Sequence, residues 1–306
     1  PKFLSNPGIG LNRSTMKREI VSIDGKISGL KNGKISVLDH CFLYGDGVFE
    51  GLRLIKKGIL FHKEHMKRLY DSARYLRIPM MPKKDYEKHL FSAVKASNLD
   101  SSYIRVVVTR GIGDLGVNPA KCFGSKLVII VTNLKLYPEK LYENGLKVVI
   151  AKTKKTPYSS LNCRIKSCNY LNNIMARWES VDEGADEAIM MGQNGIVSEA
   201  TLDNIFGVKG NTLFTPSLET NCLPGVTRQK IMDIANKQGM KIMEGKFTPH
   251  DFMSADEVFL TGTGAGIVPV TKIENKTIGN GKIGPNTKIL RHEYESKIEK
   301  FCTPVG

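Results

Sequence analysis

A single lysine, Lys166, stands before a predicted helix in the segment RIKSCNYLNN, residues 164–173. The pattern around it predicts a short strand that runs into this helix. The apolar residues expected to form the buried face of the helix are Leu171, Ile174, Met175 and Trp178. A lysine just before a helix faces the positive end of the helix dipole, which lowers its pKa and favours the neutral amine. A neutral amine can form a Schiff base, whereas the alternative is an ordinary exposed lysine.

A second segment has the features of an anion-binding helix start. Pro224 and Gly225 turn the chain in LPGVTRQKIMDIANKQG, residues 223–239. Val226 and Thr227 then begin a helix. Backbone N–H groups, the threonine hydroxyl and the helix dipole would converge there on one anion, which suits a phosphate group. Taken alone the segment is weak evidence, because many helices that begin with threonine bind no ligand.

A glycine-rich turn and an isolated carboxylate complete the set. FLTGTGAGIVPV, residues 259–270, is not a dinucleotide-binding turn, because Pro269 and β-branched residues follow where that motif needs a helix. Its N–H groups and the Thr263 hydroxyl can hold phosphate or carboxylate, or the turn is purely structural. Glu199 interrupts an apolar strand in residues 194–206. If buried, it needs a partner such as a protonated cofactor nitrogen; an exposed edge glutamate is the alternative.

Local patterns predict an antiparallel sheet and two helices in the first part of the chain. Turn signals at Asp24-Gly25 and Asn32-Gly33 predict two hairpins. A helix with one buried face follows, and a second helix begins after Pro82. The buried face of the first helix is expected to contain Met66, Leu69, Ala73 and Leu76.

The remaining elements indicate two domains of α+β or α/β type. Two strands, YIRVVVTRG and SKLVIIVT, are joined by a glycine-rich loop, residues 111–124, whose length suggests a function. After Pro138 the pattern changes to strands mixed with helices. We expect a small N-terminal domain over residues 1–133, a linker over 134–140 and a larger domain over 141–306.

Composition limits the class of protein. A formal net charge of +15 raises nucleic-acid binding as a possibility, but the basic clusters are short, scattered and without interleaved aromatic residues. A lysine-rich solvated surface is the preferred interpretation. No stretch is apolar enough to span a membrane and no signal-peptide pattern is present, so we expect a cytoplasmic protein. The six scattered cysteines fit neither a zinc site nor a CxxC pair and are expected to be reduced and mostly buried.

With these segments present together and in order, the chain resembles the class IV aminotransferases, pyridoxal-phosphate enzymes of fold type IV. The motifs that carry the resemblance are LDHCFLYGDGVFEGLR, HMKRLYDSARYLRI, RIKSCNYLNNIMA, SEATLDNIF, LPGVTRQ and FLTGTGAGIVPV. Within the family the chain looks most like branched-chain amino acid aminotransferases. The resemblance implies a fold like that of D-amino acid aminotransferase, with a small N-terminal α+β domain and a larger domain built on a mixed, barrel-like sheet.

The resemblance also implies a role for each matching residue. Lys166 matches the lysine that forms the Schiff base with pyridoxal 5′-phosphate and later moves a proton. Glu199 matches the carboxylate on the pyridine nitrogen, and Tyr170 matches the tyrosine beside the phenolic oxygen of the cofactor. The residues that match phosphate ligands are Arg68, Val226, Thr227 and Thr263. Without the resemblance, Arg68 would be assigned to a helix surface and Tyr170 to the core.

A substrate pocket with apolar walls and anion donors is implied as well. Its expected residues are Tyr44, Phe49, Gly51 and Arg53 on one strand, Tyr103 and Arg105 on another, and Gly264 and Ala265 at the glycine turn. The loop GIGDLGVNP is expected to reach into the site of the neighbouring subunit, as in the dimers of the family. The residues that differ from the usual family pattern are Cys41, which replaces a frequent glycine, Ala200, Gly264 and Gly266.

The leading hypothesis is a homodimeric or larger pyridoxal-phosphate transaminase. It would transfer the amino group between branched-chain L-amino acids (leucine, isoleucine, valine) and 2-oxoglutarate by a ping-pong mechanism through a Lys166 Schiff base. Two alternatives use the same cofactor residues with a different pocket: a D-amino acid aminotransferase and a 4-amino-4-deoxychorismate lyase. A basic nucleic-acid-binding protein is the alternative outside the enzymes.

Overall fold

The computed structural model describes residues 18–134 and 136–305. The strands are β1 (Ile20–Ile23), β2 (Lys26–Gly29), β3 (Gly47–Ile55), β4 (Gly58–Leu60), β5 (Ser102–Thr109), β6 (Leu127–Thr132), β7 (Leu146–Ile150), β8 (Glu187–Met191), β9 (Val197–Ala200), β10 (Asn204–Lys209), β11 (Thr212–Pro216), β12 (Lys241–Gly245), β13 (Glu257–Gly262), β14 (Gly266–Ile273), β15 (Lys276–Thr277) and β16 (Cys302–Pro304). The helices are α1 (His40–Tyr44), α2 (His62–Tyr75), α3 (Lys83–Ser97), α4 (Glu139–Asn144), α5 (Leu171–Asp182), α6 (Val226–Lys237), α7 (Pro249–Met253) and α8 (Pro285–Ser296). Among the described residues, no helix is long and apolar enough to cross a bilayer.

The first sheet is antiparallel and has seven strands in the order β16-β4-β3-β5-β6-β1-β2. α2 packs against β3, and α3 packs against β1 and β6. The core between sheet and helices contains fully buried side chains such as Leu52, Leu69, Leu90 and Ile104. Burying one aliphatic side chain of this size contributes about 1.5–3 kcal/mol. This core therefore fixes β3 and α2, which both carry predicted site residues.

The first of the two predicted hairpins is confirmed and the second is wrong. Asp24 and Gly25 have φ angles of 49° and 85° and join β1 to β2, as a two-residue turn requires. No hairpin forms at Asn32-Gly33, where one turn of 3-10 helix follows β2 and Gly33 has a φ of −71°. The residues that would form the next strand, such as Val37, are exposed, so there is no buried face to fix a strand.

The second sheet is mixed and curls back on itself. Its strand order is β12-β11-β10-β13-β14-β7-β8-β9, with β15 paired to β14. β7 runs parallel to β8 and β14, and β11 runs parallel to β12, whereas the other pairs are antiparallel. β9 also lies against β10 and β11, which bends the sheet into a half-barrel. The predicted combination of an antiparallel sheet and a larger mixed sheet is confirmed.

The helices predicted after Lys166 and after Pro224 are present, but two details near Lys166 are wrong. Residues 161–166 form turns and irregular chain instead of a strand, and Ser167 makes an isolated bridge to Val48. α5 buries Ala176 and Ser180, because small side chains let it lie close to β7 and β8. The side chains predicted to be its buried face are instead between 50% and 65% exposed: Leu171, Ile174, Met175 and Trp178.

The C-terminal strand returns to the first sheet. Cys302 pairs with Leu60 and Pro304 pairs with Gly58, so β16 lies beside β4 although it follows the second sheet in the chain. The division into residues 1–133, 134–140 and 141–306 stays a prediction, and this pairing adds a C-terminal crossing that the sequence pattern does not indicate.

Candidate active site

A cavity of about 460 Å³ lies between the two sheets and collects most of the predicted site residues. The predicted residues that line it are Phe49, Gly51, Arg68, Tyr103, Arg105, Lys166, Tyr170, Val226, Thr227, Thr263 and Gly264. These residues come from β3, β5, α2, the loop before α5, the start of α6 and the turn after β13. The arrangement brings one lysine, a tyrosine, several anion donors and an apolar wall around one space.

Lys166 is held by its backbone while its amine faces the cavity. Its carbonyl accepts a hydrogen bond from the Phe49 N–H at 2.9 Å, and its own N–H donates to the Ser72 hydroxyl at 3.3 Å. The amine Nζ lies 3.2 Å from the Tyr170 hydroxyl and 4.7 Å from the Phe49 ring centroid. Burial, followed by repulsion from the Arg68 guanidinium, lowers the pKa of Lys166 to about 8. The direction agrees with the shift predicted from the sequence, but its causes are burial and Arg68 instead of the helix dipole.

The lowered pKa predicts how the apoprotein reacts with an aldehyde. Because only the neutral amine attacks a carbonyl, the rate at which Lys166 captures pyridoxal 5′-phosphate should rise as the pH passes through about 8 and then level off. Stopped-flow absorbance of the apoprotein mixed with pyridoxal 5′-phosphate measures this rate. A rise that continues unchanged toward the ordinary lysine pKa of about 10.4 would contradict the lowered value.

Arg68 is fixed by a buried carboxylate that the sequence analysis does not identify. Glu50 is fully buried and accepts hydrogen bonds from Arg68 Nε at 2.7 Å and Nη2 at 2.8 Å. Glu50 also accepts from His65 Nδ1 at 2.7 Å, and the third Arg68 contact is Nη1 to the Pro224 carbonyl at 2.8 Å. Such bidentate pairs fix a guanidinium in one plane. Arg68 is thus positioned at the start of α6.

His65 extends this network to the glycine turn. Burial lowers the pKa of His65, although Glu50 opposes the shift, so the ring is neutral. With Nδ1 donating to Glu50, Nε2 accepts from the Thr263 hydroxyl at 3.2 Å. The Thr263 hydroxyl therefore donates its hydrogen to His65 and not to a ligand. The donors that the glycine turn can offer to a ligand are its N–H groups.

The start of α6 has the geometry of a phosphate site. Gly225 is the N-cap residue and makes no side-chain cap, so the first N–H groups of α6 are open to a ligand. Within the described part of the chain, the buried Thr227 hydroxyl has no hydrogen-bond partner. A Cβ at position 225 would lie 2.0 Å from Asn204 Oδ1, so a residue with a side chain would clash there and glycine is required. A buried, unpartnered hydroxyl beside open N–H groups and Arg68 fits an anion.

Glu199 is buried behind the cavity wall, does not line the cavity itself, and already has a partner. Its Oε1 accepts from Lys155 Nζ at 2.6 Å, and its Oε2 accepts from the Leu223 N–H at 2.9 Å and the Asn204 amide at 3.3 Å. Lys155 is only 4% exposed, so it does not belong to the solvated lysine-rich surface. This buried ion pair lies next to the cavity wall formed by Asn204 and Leu223.

Two buried carboxyl groups, those of Asp203 and Glu187, contact the same phenol, that of Tyr137. Tyr137 Oη lies 2.9 Å from Asp203 Oδ2 and 3.3 Å from Glu187 Oε2, and all three side chains are buried. One hydroxyl hydrogen cannot serve two carboxylates at once. Burial, followed by the charge of Glu187, raises the pKa of Asp203 to about 7. Asp203 therefore holds a proton up to about neutral pH and ties the segment around Tyr137 to the cavity.

The raised pKa of Asp203 predicts an unusual dependence of stability on pH. Folded Asp203 keeps its proton up to about pH 7, whereas unfolded aspartate releases it near 3.8, so the free energy of unfolding should fall as the pH rises between these values. A shift of this size corresponds to a loss on the order of 4 kcal/mol at most. Asp203→Asn should remove much of this slope, whereas the exposed control Asp182→Asn should keep it. Urea unfolding of the apoproteins between these pH values measures the slope. Equal slopes in wild type and Asp203→Asn would contradict the raised pKa of Asp203.

The substrate side of the cavity is formed by β3 and β5. Gly51 pairs with Arg105, and a Cβ at Gly51 would lie 2.1 Å from the Tyr103 hydroxyl, so only glycine leaves room for that tyrosine. The Arg105 guanidinium lies 4.5 Å from the Phe49 ring centroid. The Phe49 ring also meets the Tyr170 ring edge to face at 5.1 Å. This wall offers aromatic surface with one cation and one phenol for a carboxylate.

Three predicted pocket residues do not line this cavity, and their role in binding substrate stays a prediction. Tyr44 is 41% exposed at the end of α1, and its hydroxyl donates to the Leu115 carbonyl. Arg53 lies two residues further along β3 than Gly51, so it reaches a neighbouring cavity of about 750 Å³. Ala265 lines that second cavity too, where its carbonyl accepts from Tyr142.

Comparison with known proteins decides the family. The model of the family "Amino-transferase class IV" matches residues 47–273. The chain belongs to the class IV aminotransferases. A Methanocaldococcus jannaschii protein, provisionally assigned as a branched-chain-amino-acid aminotransferase, is 39% identical, with 92% of this chain and 97% of that protein aligned. The crystal structure of the Escherichia coli branched-chain amino acid aminotransferase superposes with a TM-score of 0.91 at 29% identity, covering 95% of this chain and all of that one.

A further class IV structure shows what such a site holds in a relative. The T.th. branched-chain amino acid aminotransferase was solved with pyridoxamine 5′-phosphate and superposes with a TM-score of 0.89 at 31% identity, covering 95% of this chain and all of that one. The family and the fold type that the sequence motifs predict are thus confirmed. The class IV site of this chain also contains Glu50, His65 and Lys155, which sequence reasoning missed. Glu50 follows Phe49 in an apolar strand, which is the same signal that identified Glu199, so the sequence does contain a signal for it.

Proposed function

We propose that this class IV aminotransferase transfers the amino group between branched-chain L-amino acids and 2-oxoglutarate, with Lys166 as the reacting amine. The observation that carries the proposal is the placement of Lys166: its buried amine has a pKa of about 8 and lies between the Tyr170 phenol and the open start of α6. A lysine in this state can act as a nucleophile and as a base near neutral pH.

Pyridoxal 5′-phosphate is the cofactor, and it supplies an electron sink for the charge that develops at the substrate Cα. The residues that would hold its phosphate are Arg68, Val226, Thr227 and Thr263, the last through N–H groups of its turn. Tyr170 would donate to the phenolic oxygen. Glu199, which is paired with Lys155, would hold a proton on the pyridine nitrogen. Lys166 Nζ accepts the proton of the substrate Cα and returns it later, which a neutral amine can do.

The substrate wall supports an aliphatic side chain and a carboxylate in turn. Phe49 and the space above Gly51 offer apolar surface, while Tyr103 and Arg105 offer a hydroxyl and a cation. The T.th. enzyme was solved with 4-methylvaleric acid and with N-(5′-phosphopyridoxyl)-L-glutamate, so a relative with this fold accepts both kinds of group. We therefore propose leucine, isoleucine and valine as donors, 2-oxoglutarate as acceptor and a ping-pong order.

We also propose that the enzyme is a homodimer or a larger homo-oligomer. Two apolar surfaces support this: the outer face of α5, and a group of side chains between 70% and 78% exposed on α1 and the 111–124 loop, Phe42, Leu115, Val117 and Phe123. Exposed apolar groups of this extent typically mark protein contacts. In the dimer, Tyr44 and the 111–124 loop would belong to the site of the neighbouring subunit. Six free cysteines fit a reducing compartment, so we propose a cytoplasmic location.

A panel of amino donors with 2-oxoglutarate tests the proposal. We expect L-leucine, L-isoleucine and L-valine to yield glutamate, and D-alanine to yield little. Activity on D-alanine without activity on L-leucine would reject the substrate assignment and favour a D-amino acid aminotransferase. Release of pyruvate from aminodeoxychorismate without transamination would favour the lyase. Colourless protein with salt-sensitive retention on DNA or RNA would reject the enzyme altogether.

A further inference from the structure

Two cysteines that are far apart in sequence meet beside the cavity. Cys41 lies on α1, and Cys168 lies two residues after Lys166 and lines the cavity. Both sulfur atoms lie next to Gly47. If this glycine had a Cβ, that atom would lie 2.6 Å from Cys41 Sγ and 3.2 Å from Cys168 Sγ. The two thiols therefore lie beside each other. Disulfide formation requires this kind of approach.

The backbone on both sides holds the pair in place. The Cys41 N–H donates to the Asp39 carboxylate at 2.8 Å, and Asp39 is itself buried and accepts from the Thr109 hydroxyl at 2.7 Å. The Cys168 N–H donates to the Gly47 carbonyl at 2.8 Å. These contacts hold the backbone of both cysteines beside Gly47.

The two thiols differ in reactivity. Interaction with the neighbouring Cys41 thiol lowers the pKa of Cys168, and the nearby Arg105 cation acts in the same direction. The pKa of Cys41 is raised by the same contact and by burial. Cys168 also lines the cavity, whereas Cys41 does not, so we take Cys168 as the thiol that meets peroxide first and Cys41 as the thiol that reacts with it afterwards. By contrast, Cys163 and Cys302 direct their sulfur atoms at backbone carbonyl groups.

We propose that Cys41 and Cys168 are a peroxide-sensitive modification site that closes to a reversible disulfide next to Lys166. In the first step the Cys168 thiolate attacks one oxygen of hydrogen peroxide, the S–O bond forms, the O–O bond breaks, and the departing hydroxide takes up a proton to become water. In the second step the Cys41 sulfur attacks Cys168, the S–S bond forms, the S–O bond breaks, and a second water leaves with the Cys41 proton. Two thiols and one peroxide give one disulfide and two waters.

The disulfide would act on the reacting lysine. An S–S bond of about 2.05 Å is much shorter than a contact between two thiols, so it pulls α1 toward the 166–168 segment. The Lys166 carbonyl accepts a hydrogen bond from the N–H of Phe49, which lies two residues after Gly47. Lys166 would therefore move when the 166–168 segment moves. We expect the cross-linked protein to capture pyridoxal 5′-phosphate more slowly than the reduced protein. This consequence rests on the proposed function, whereas the disulfide itself does not.

Mass spectrometry tests the disulfide. The reduced full-length protein is treated with hydrogen peroxide, its remaining thiols are blocked with N-ethylmaleimide, and it is digested without reductant. We expect a peptide pair that joins Cys41 to Cys168, two hydrogen atoms lighter than the reduced peptides and separated by dithiothreitol. Cys41→Ser should abolish the pair, whereas the control Cys122→Ser, which removes a thiol near α1, should retain it.

Three results would overturn the proposal: recovery of both cysteines as blocked thiols, oxidation of Cys168 to sulfinic acid without a cross-link, or a cross-link from Cys41 to another cysteine. The effect on Lys166 is measured separately, as the rate of pyridoxal 5′-phosphate capture before and after oxidation. Equal rates in cross-linked and reduced protein would overturn that consequence. If even the reduced protein captures no cofactor, the proposed function fails while the mass spectrum still decides the disulfide.

Discussion

Replacing Lys166 by alanine is expected to abolish transamination while cofactor still binds through its phosphate group. Among the described residues, the Lys166 amine is the only group in the cavity that has a lowered pKa and also contacts the Tyr170 phenol, and the variant removes it. General acid–base catalysis alone contributes about 10²- to 10⁴-fold, and losing the covalent role adds to this, so we expect a loss of at least about 10³-fold. The phosphate contacts on α2 and α6 are untouched by the change.

Two measurements define this result. Turnover of L-leucine with 2-oxoglutarate gives the loss of activity, and equilibrium dialysis with pyridoxal 5′-phosphate shows whether cofactor still binds. The matched control is Lys154→Ala, an exposed lysine in a neighbouring loop, which should behave as wild type. Transaminase activity retained in Lys166→Ala would reject the assignment of Lys166.

Glu50→Gln is expected to destabilise the protein strongly. Burial alone would raise the pKa of Glu50, but Arg68 and His65 outweigh it and hold the pKa far below its ordinary value. The substitution keeps the shape and removes the charge, which leaves the Arg68 guanidinium buried without a counter-ion. Breaking such a pair by changing one partner costs about 3–5 kcal/mol. Phosphate affinity should fall too, because Arg68 loses the carboxylate that orients it.

Urea unfolding measures the loss of stability, and the concentration of inorganic phosphate that protects the apoprotein measures the loss of affinity. The control Glu64→Gln changes an exposed glutamate on the same helix and should shift the free energy of unfolding by no more than about 0.5 kcal/mol. If Glu50→Gln unfolds at the same urea concentration as wild type, the buried network does not stabilise α2.

Much of the fold follows from local patterns, and the errors have a common physical cause. The turn at Asp24-Gly25 was predictable because its backbone geometry is set by the two residues themselves. Asn32-Gly33 has equally favourable residues, yet no strand follows there, since no partner is available to pair with it. Likewise the apolar stripe of α5 is typical of a core face, whereas tertiary packing selects the small residues Ala176 and Ser180. Local propensity cannot show which face of an element meets its neighbour.

The site divides in the same way. Residues that touch the cavity, such as Lys166 and Thr227, belong to motifs and could be found from sequence. Residues that act through another residue are harder to find: Glu50 shows only as a carboxylate in an apolar strand, and its pairing with Arg68 leaves no local pattern. Lys155 shows this clearly: Lys154 and Lys155 are adjacent and chemically identical, but only Lys155 points inward to Glu199.

The central claim is that Lys166 is the amine that reacts with the cofactor. The most direct test is to treat the protein, purified with pyridoxal 5′-phosphate, with sodium borohydride and to map the modified peptide by mass spectrometry. Reduction makes the bond between cofactor and lysine permanent, so the modified residue can be read from the fragment masses. We predict a phosphopyridoxyl group on Lys166 and loss of the visible absorption band. A modification confined to another lysine, or none at all, would contradict the account.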